Sequence, residues 1–160
     1  MSNVTPFLPA LTPQTIAEEQ VSVARLSDLL NSAFLDHEID DECLYVTDGV
    51  EFPIWIGVSD EVKLVDLFTY FAPEGEVPSD WVIRVNELNS TIMVPQFSIQ
   101  QGALWGRYWM TYDGGLNVKH FIKMVRRFSG AFRVGVGEIG SGALATINAP
   151  VETPRHDSPS

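Results

Sequence analysis

Apolar positions near the start of the chain recur at helical spacing. Val21, Leu26, Leu29, Leu30, Ala33 and Phe34 line one side of a helix expected over residues 17–36. The acidic stretch at 36–42, Asp-His-Glu-Ile-Asp-Asp-Glu, breaks that period and reads as a solvated loop. Three extended segments follow, at residues 44–47, 52–58 and 62–71. Asp48-Gly49 marks a tight primed turn between the first two, and residues 58–61 a second turn. Connections this short join antiparallel strands, because parallel pairing needs a crossover of a dozen or more residues.

A second helix opens at Pro78-Ser79-Asp80, with Ser79 as N-cap and Asp80 at the positive end of the dipole. Trp81, Val85, Leu88 and Ile92 form its stripe, and Pro95 closes it. Residues 97–100 and 103–112 form a hairpin turning at Gln101-Gly102. Asp113-Gly114-Gly115 then leads into a third helix. Val118, Phe121, Ile122, Val125, Phe128 and Phe132 make its apolar side, with Lys119, Lys123, Arg126, Arg127 and Arg133 on the rest. The predicted order is α-βββ-α-ββ-α: an α+β domain of helices packed on one face of an antiparallel sheet.

The residues that carry this order, Val85-Asn86-Glu87-Leu88-Asn89, the hairpin around Phe97 and Tyr108, and Asp113-Gly114-Gly115-Leu116, resemble the YbjN domain family. That family comprises bacterial candidate sensory transduction regulators, and the resemblance covers residues 20–135. It implies a type III secretion chaperone-like fold, often paired as a homodimer, with no catalytic residue and no cofactor. The aromatic strand Trp105-Gly106-Arg107-Tyr108-Trp109 has no counterpart in the family pattern.

Composition narrows the organisation. The chain has 160 residues, a length suited to one domain. Three prolines before residue 14 and a Gly/Ala/Ser/Pro-rich end predict flexible tails at 1–17 and 138–160 around a folded domain at 18–137. No secretory h-region and no apolar run of membrane-spanning length occurs, which predicts a cytoplasmic protein with no membrane partner. The single Cys43 provides no intramolecular disulfide.

The net charge of −11 argues against general nucleic-acid binding. It is also unevenly spread. Thirteen acids and one base lie between Asp36 and Asp80, whereas residues 119–133 hold five bases and no acid. A basic helix side at Lys119, Lys123 and Arg127 can face an acidic partner, although cations at a solvated helix surface are the commoner meaning.

Motifs of chemistry are weak. Gly135-Val-Gly137-Glu-Ile-Gly140 matches a dinucleotide-binding pattern in letters, but it follows a helix instead of opening one and reads as a helix terminator. The acids from Asp36 lack the Gly and Glu spacing of a calcium loop. His37, His120 and His156 are scattered and read as solvated. Cys43 lies among acids that raise a thiol pKa, and reads as structural. Asn86 and Asn89 are expected to hydrogen-bond a neighbouring strand end or loop.

The strand at 103–112 is more informative. Alternation puts Trp105, Arg107, Trp109 and Thr111 on one face and Leu104, Gly106, Tyr108, Met110 and Tyr112 on the other. Both sheet faces therefore carry large aromatics, while three helices cover one. The expected function is a non-enzymatic, chaperone-like regulatory module that binds a polypeptide. Its expected partner-binding residues are Trp55, Trp105, Arg107 and Trp109, with Lys119, Lys123 and Arg127 on the helix. A small-ligand sensor with a pocket between sheet and helices is the second reading.

Overall fold

The computed structural model describes residues 14–140. Helix α1 spans Val23–Ser32, shorter than its apolar period suggests. Ser22 sets its start, its side chain accepting from the Arg25 amide at 3.1 Å, and residues 18–20 form a separate 3-10 turn. Phe34, with φ of +58°, terminates the helical path.

Among the described residues, eight strands follow the chain order: β1 Thr15–Ile16, β2 His37–Asp40, β3 Cys43–Val46, β4 Ile54–Ser59, β5 Leu64–Phe71, β6 Gln96–Gln100, β7 Ala103–Thr111 and β8 Leu116–Asn117. β2 to β7 make a six-stranded antiparallel sheet in the order β2-β3-β4-β5-β7-β6, and β1 pairs separately with β8. β2 corrects the expected loop. The acidic stretch turns at Asp41 (φ +52°) and pairs back on β3, Ile39 opposite Leu44. Its Glu and Asp side chains suit an edge strand, where charge discourages pairing with another chain. The order is thus α-ββββ-α-ββ-α, with the small β1/β8 pair added.

Turn chemistry separates two of the predicted hairpins. Gln101 and Gly102 both take positive φ, +50° and +72°, as a two-residue primed turn requires. Asp48-Gly49 instead lies in a longer connection between Val46 and Ile54, where Asp48 Oδ1 accepts from the Gly49 amide at 2.8 Å.

Helix α2 spans Trp81–Thr91 and helix α3 spans Val118–Ile139. Asp80, not Ser79, is the α2 N-cap, and its side chain pairs with Arg84 at 3.0 Å. α3 runs through Gly135 and Gly137, so these glycines do not terminate it. Gly135 is there for close approach: a methyl group on it would stand 2.5 Å from Phe97 Cζ. Of the expected tails at 1–17 and 138–160, Thr15–Ile16 lie in β1 and residues 138–139 in α3, while 1–13 and 141–160 lie outside the described residues.

All three helices sit on one side of the sheet, α3 over β5 and β7, α1 beside β3, and α2 against β6. One part of the core joins α1, α3 and the central strands through Leu26, Leu30, Leu44, Ile56, Leu67, Phe121, Val125 and Phe128. The other gathers Phe52, Phe71, Trp81, Leu88, Phe97, Leu104 and Phe132 beneath α2 and the end of α3. These two groups of side chains occupy the layer between helices and sheet, where the second reading places a small-ligand pocket.

Two polar features lock this layer. Ser129 is fully buried and its hydroxyl spans the Phe52 amide and carbonyl at 2.6 and 2.7 Å. Asn89 fulfils its expected role: its amide accepts from Phe97 N at 2.8 Å and donates to Phe97 O at 2.9 Å, tying α2 to β6.

At the far end of the sheet, Tyr112 is buried while its hydroxyl donates to Asp60 Oδ1 at 2.9 Å. Burial, that hydrogen bond and the Asp60 charge push its pKa up to about 12. A phenol with a folded pKa above its unfolded value contributes stability below pH about 10 and loses it as pH rises toward 12. Chemical unfolding at stepped pH should therefore show stability falling over that window. Tyr112→Phe should fall less steeply than the parent, and equal slopes would refute the assignment.

Candidate functional site

The face of the sheet turned away from the helices follows from strand alternation. In β5, Val65, Leu67, Thr69 and Phe71 are buried toward the helices, while Leu64, Asp66, Phe68 and Tyr70 point the other way. β3 and β4 alternate in the same sense and add Tyr45 and Trp55. β7 adds Trp105, Arg107 and Trp109, the last 47% exposed.

Register aligns these side chains into rows across the strands. Glu38, Tyr45, Trp55, Phe68, Arg107 and Gln96 are successive partners from β2 to β6. On one side of that row lie Asp40, Cys43, Gly57, Asp66 and Trp109, and on the other Tyr70, Trp105 and Ser98. Rings contact one another along the rows. Tyr45 stacks on Trp55 with centroids 4.2 Å apart, Trp55 lies 6.5 Å from Phe68, and Tyr70 lies 4.9 Å from Trp105. Such pairs favour one arrangement of the rings over others. The Trp105 indole N–H donates to the Gln100 carbonyl at 3.1 Å, anchoring that ring at the β6–β7 turn.

One ion pair sits among the aromatics. Arg107 holds Asp66 through two parallel bonds, Nε to Oδ1 at 3.1 Å and Nη2 to Oδ2 at 2.9 Å. The guanidinium also lies over the rings of Phe68, at 5.5 Å, and Trp109, at 5.2 Å. Burial raises the Asp66 pKa and outweighs the opposing pull of Arg107, which marks the centre of the face as poorly solvated. The Cys43 thiol is likewise pushed up, first by burial and then by Asp66, Asp40, Glu42 and Asp41. The acidic neighbours act as expected, and the thiol is held away from its nucleophilic form.

Four expected residues therefore come together: Trp55, Trp105, Arg107 and Trp109. Sequence reasoning missed Tyr45, Asp66, Phe68 and Tyr70, although the period-two alternation within 64–71 carried the signal for three of them. Lys119, Lys123 and Arg127 are exposed on α3, on the other side of the sheet, and do not join this group. Lys119 and Lys123 border a shallow depression with Ile122 and Arg126, and Arg126 donates to the Ala33 carbonyl at the end of α1 at 3.1 Å.

A second depression opens at the rim of the aromatic face, lined by Ile92, Met93, Gln96, Arg107, Tyr108 and Trp109. It lies where β6 ends opposite Arg107 while β7 continues, and Met93 above it is 88% exposed.

His37 departs from the solvated reading. Its Nε2 lies 2.6 Å from Ser27 Oγ and its Nδ1 2.9 Å from the Leu35 carbonyl, so it ties β2 to α1. Among the described residues, no group of three or more His, Cys, Asp or Glu is placed to hold a metal, and no helix is long and apolar enough to cross a membrane.

The fold has structural counterparts. YbjN from E. coli, described as a candidate transcription regulator, superposes with a TM-score of 0.58 at 14% identity, over 72% of this chain and 89% of that one. A chain of the HopA1–SchA chaperone–effector complex superposes with a TM-score of 0.51 at 13% identity, over 71% and 89%. No protein-family model matches the chain, and no curated protein matches it in sequence. The α+β architecture is YbjN-like, with helices on one face of an antiparallel sheet.

Proposed function

We infer that the protein is a non-enzymatic, chaperone-like module that binds a polypeptide on the open face of its sheet. The observation that carries this reading is the group of six aromatic side chains, Tyr45, Trp55, Phe68, Tyr70, Trp105 and Trp109, around the Asp66–Arg107 pair, on the face opposite all three helices. Contiguous aromatic surface with an arginine at its centre has the composition of interface hot spots. Five of the rings already pack on a neighbouring ring and Trp109 lies under the Arg107 guanidinium, which reduces the side-chain freedom lost on binding. The likeness to a chain of a chaperone–effector complex supports the same class of activity.

In this reading Arg107 orients the partner's backbone or carboxylates, and the cations of α3, on the other side, speed the approach of acidic partners. The module works in the cytoplasm, and a second copy of the chain is one polypeptide such a face can take.

A photo-crosslinking residue placed at Trp109 tests the site. It should capture a polypeptide in cells, whereas the same residue at Val82, exposed on α2, should not. Equal capture at both positions, or none at 109, defeats the assignment.

A further inference from the structure

The extent of α3 changes what its cations mean. Because the helix runs from Val118 to Ile139, Lys119, Lys123, Arg126 and Arg127 all lie in its first half, and no base occupies its last turn. A helix dipole favours cations at the C-terminal end and opposes them toward the N-terminal end. Lys119 with Lys123, and Lys123 with Arg127, are like charges four residues apart, a spacing that destabilises a helix. No acid in the first turn offsets them, and among the described residues none of the four forms an ion pair. Helix stability therefore does not account for this stripe.

Phe34 makes a second unfavourable arrangement beside it. It follows Ala33, whose carbonyl takes the bond from Arg126. The Leu35 amide donates to the Leu30 carbonyl at 3.0 Å and the Phe34 amide to the Asn31 carbonyl at 3.1 Å, which closes the end of α1. Phe34 thus stands, with φ of +58°, at the position glycine normally takes in such a closure. Its ring gains nothing by packing, since the residue is 90% exposed. A bulky ring at positive φ and in water costs the fold on both counts, which points to a contact made outside the molecule. The depression of Lys119, Ile122, Lys123 and Arg126 shares Arg126 with this end of α1, and the half-buried Ile122 gives it an apolar patch.

Charge and size select the occupant. Lys119 to Arg126 is about 10 Å along the helix axis, and acids three or four residues apart on a partner helix repeat at the same intervals. Acids also border the patch. Asp36 lies two residues from Phe34, the Asp48 amide bonds its carbonyl at 3.4 Å, and a Glu51 carboxylate oxygen would stand 3.1 Å from a methyl group on Gly130 of α3. A long polyanion such as nucleic acid would run onto these acids, whereas a short segment with a few carboxylates fits between them.

We propose that this side of the molecule docks a short, amphipathic acidic helix of a partner protein. Its carboxylates meet Lys119, Lys123, Arg126 and Arg127, and its apolar side chains rest on Phe34 and Ile122. The surface lies on the helix side of the sheet, so the inference stands apart from the reading of the aromatic face.

The probe is a labelled peptide repeating Glu-Glu-Leu-Leu, titrated with the full chain at low salt and followed by fluorescence anisotropy. Saturable binding is expected with tryptophan emission unchanged, because Trp55, Trp105 and Trp109 lie on the other face and Trp81 lies in the core. Lys123→Gln combined with Arg126→Gln should weaken binding roughly fivefold, as for two partly exposed ion pairs. Phe34→Gly should weaken it roughly tenfold without lowering thermal stability, since glycine suits the positive φ. A peptide repeating Glu-Glu-Ser-Ser should bind the parent more weakly and lose nothing further on Phe34→Gly. Absence of binding by the Glu-Glu-Leu-Leu peptide overturns the proposal, as does binding that ignores both variants. Binding that shifts tryptophan emission places the peptide on the aromatic face and is equally fatal. Tighter binding of oligothymidylate through the same residues would identify a nucleic-acid surface instead.

Discussion

Phe132→Ala should lower the unfolding free energy by about 3–5 kcal/mol, the range for deleting a fully buried aromatic ring. Phe132 is where the helix layer and the sheet come closest. Its ring lies 4.8 Å from that of Phe52, 5.8 Å from Phe97 and 6.5 Å from Phe128. It also sits against bare backbone at Gly106, where a methyl group would stand 2.5 Å from Phe132 Cδ2. The ring therefore fills a gap built by a glycine in the middle of β7, and its removal leaves a cavity there. A loss of this size is a large part of the roughly 5–15 kcal/mol typical of a whole domain. Urea unfolding followed by far-UV circular dichroism measures it. Phe132→Leu should lose less, since it keeps part of the volume. A loss below about 1 kcal/mol for the alanine variant would contradict the packing described, because such values belong to surface positions.

The opposite outcome is expected on the other face. Trp105→Ala combined with Trp109→Ala should leave the domain folded and weaken polypeptide capture by about a thousandfold. That figure corresponds to two hot-spot side chains at ~2 kcal/mol each. Trp109 is half exposed, and Trp105 contributes one hydrogen bond to Gln100 and contact with Tyr70, so the cost to folding is only about 1–2 kcal/mol. Binding of a captured polypeptide by titration calorimetry, beside a urea curve, separates the two effects. If the double variant unfolds at room temperature, the rings belong to the core and the face is no binding site. Unchanged binding by a folded variant is equally damaging.

Together the two variants test the division on which the functional reading depends. Identical alternation in β7 produces Gly106 and Met110 on the filled side and Trp105 and Trp109 on the open side. Only the placement of the helices makes one set structural and the other available.

Much of this was legible in the residues. Periods of 3.6 and 2 located all three helices and five of the six strands of the main sheet, because burial on one side of an element leaves a repeat that no tertiary contact is needed to read. The edge strand β2 was not legible. It pairs through backbone groups and exposes most of its side chains, so its sequence carries charge where a strand pattern would carry apolar residues. The extent of α3 was hidden for a related reason. Gly135 and Gly137 look like a stop, but Gly135 lies in the helix because Phe97 of β6 leaves no room for a larger residue.

The candidate site divides in the same way. The alternation around Trp105 fixes which side chains share a face, and the predicted hot-spot tryptophans did fall on one surface. Nothing local shows that Tyr45, Trp55, Phe68 and Arg107 occupy one row, since register between strands is set by distant pairing. The same holds for the separation of the α3 cations from the aromatics.

The sequence by itself determined the element types, the α+β class, the opposed charges of the two halves and the presence of aromatics on both sides of one strand. These are local periodicities and counts, and burial of a single face is enough to impose them. The tertiary structure alone decided that all three helices cover the same side, that Asp66 meets Arg107 across two strands 41 residues apart, and that six rings share the face opposite the helices. Those outcomes depend on strand order and register, which join residues that no short window of the chain contains.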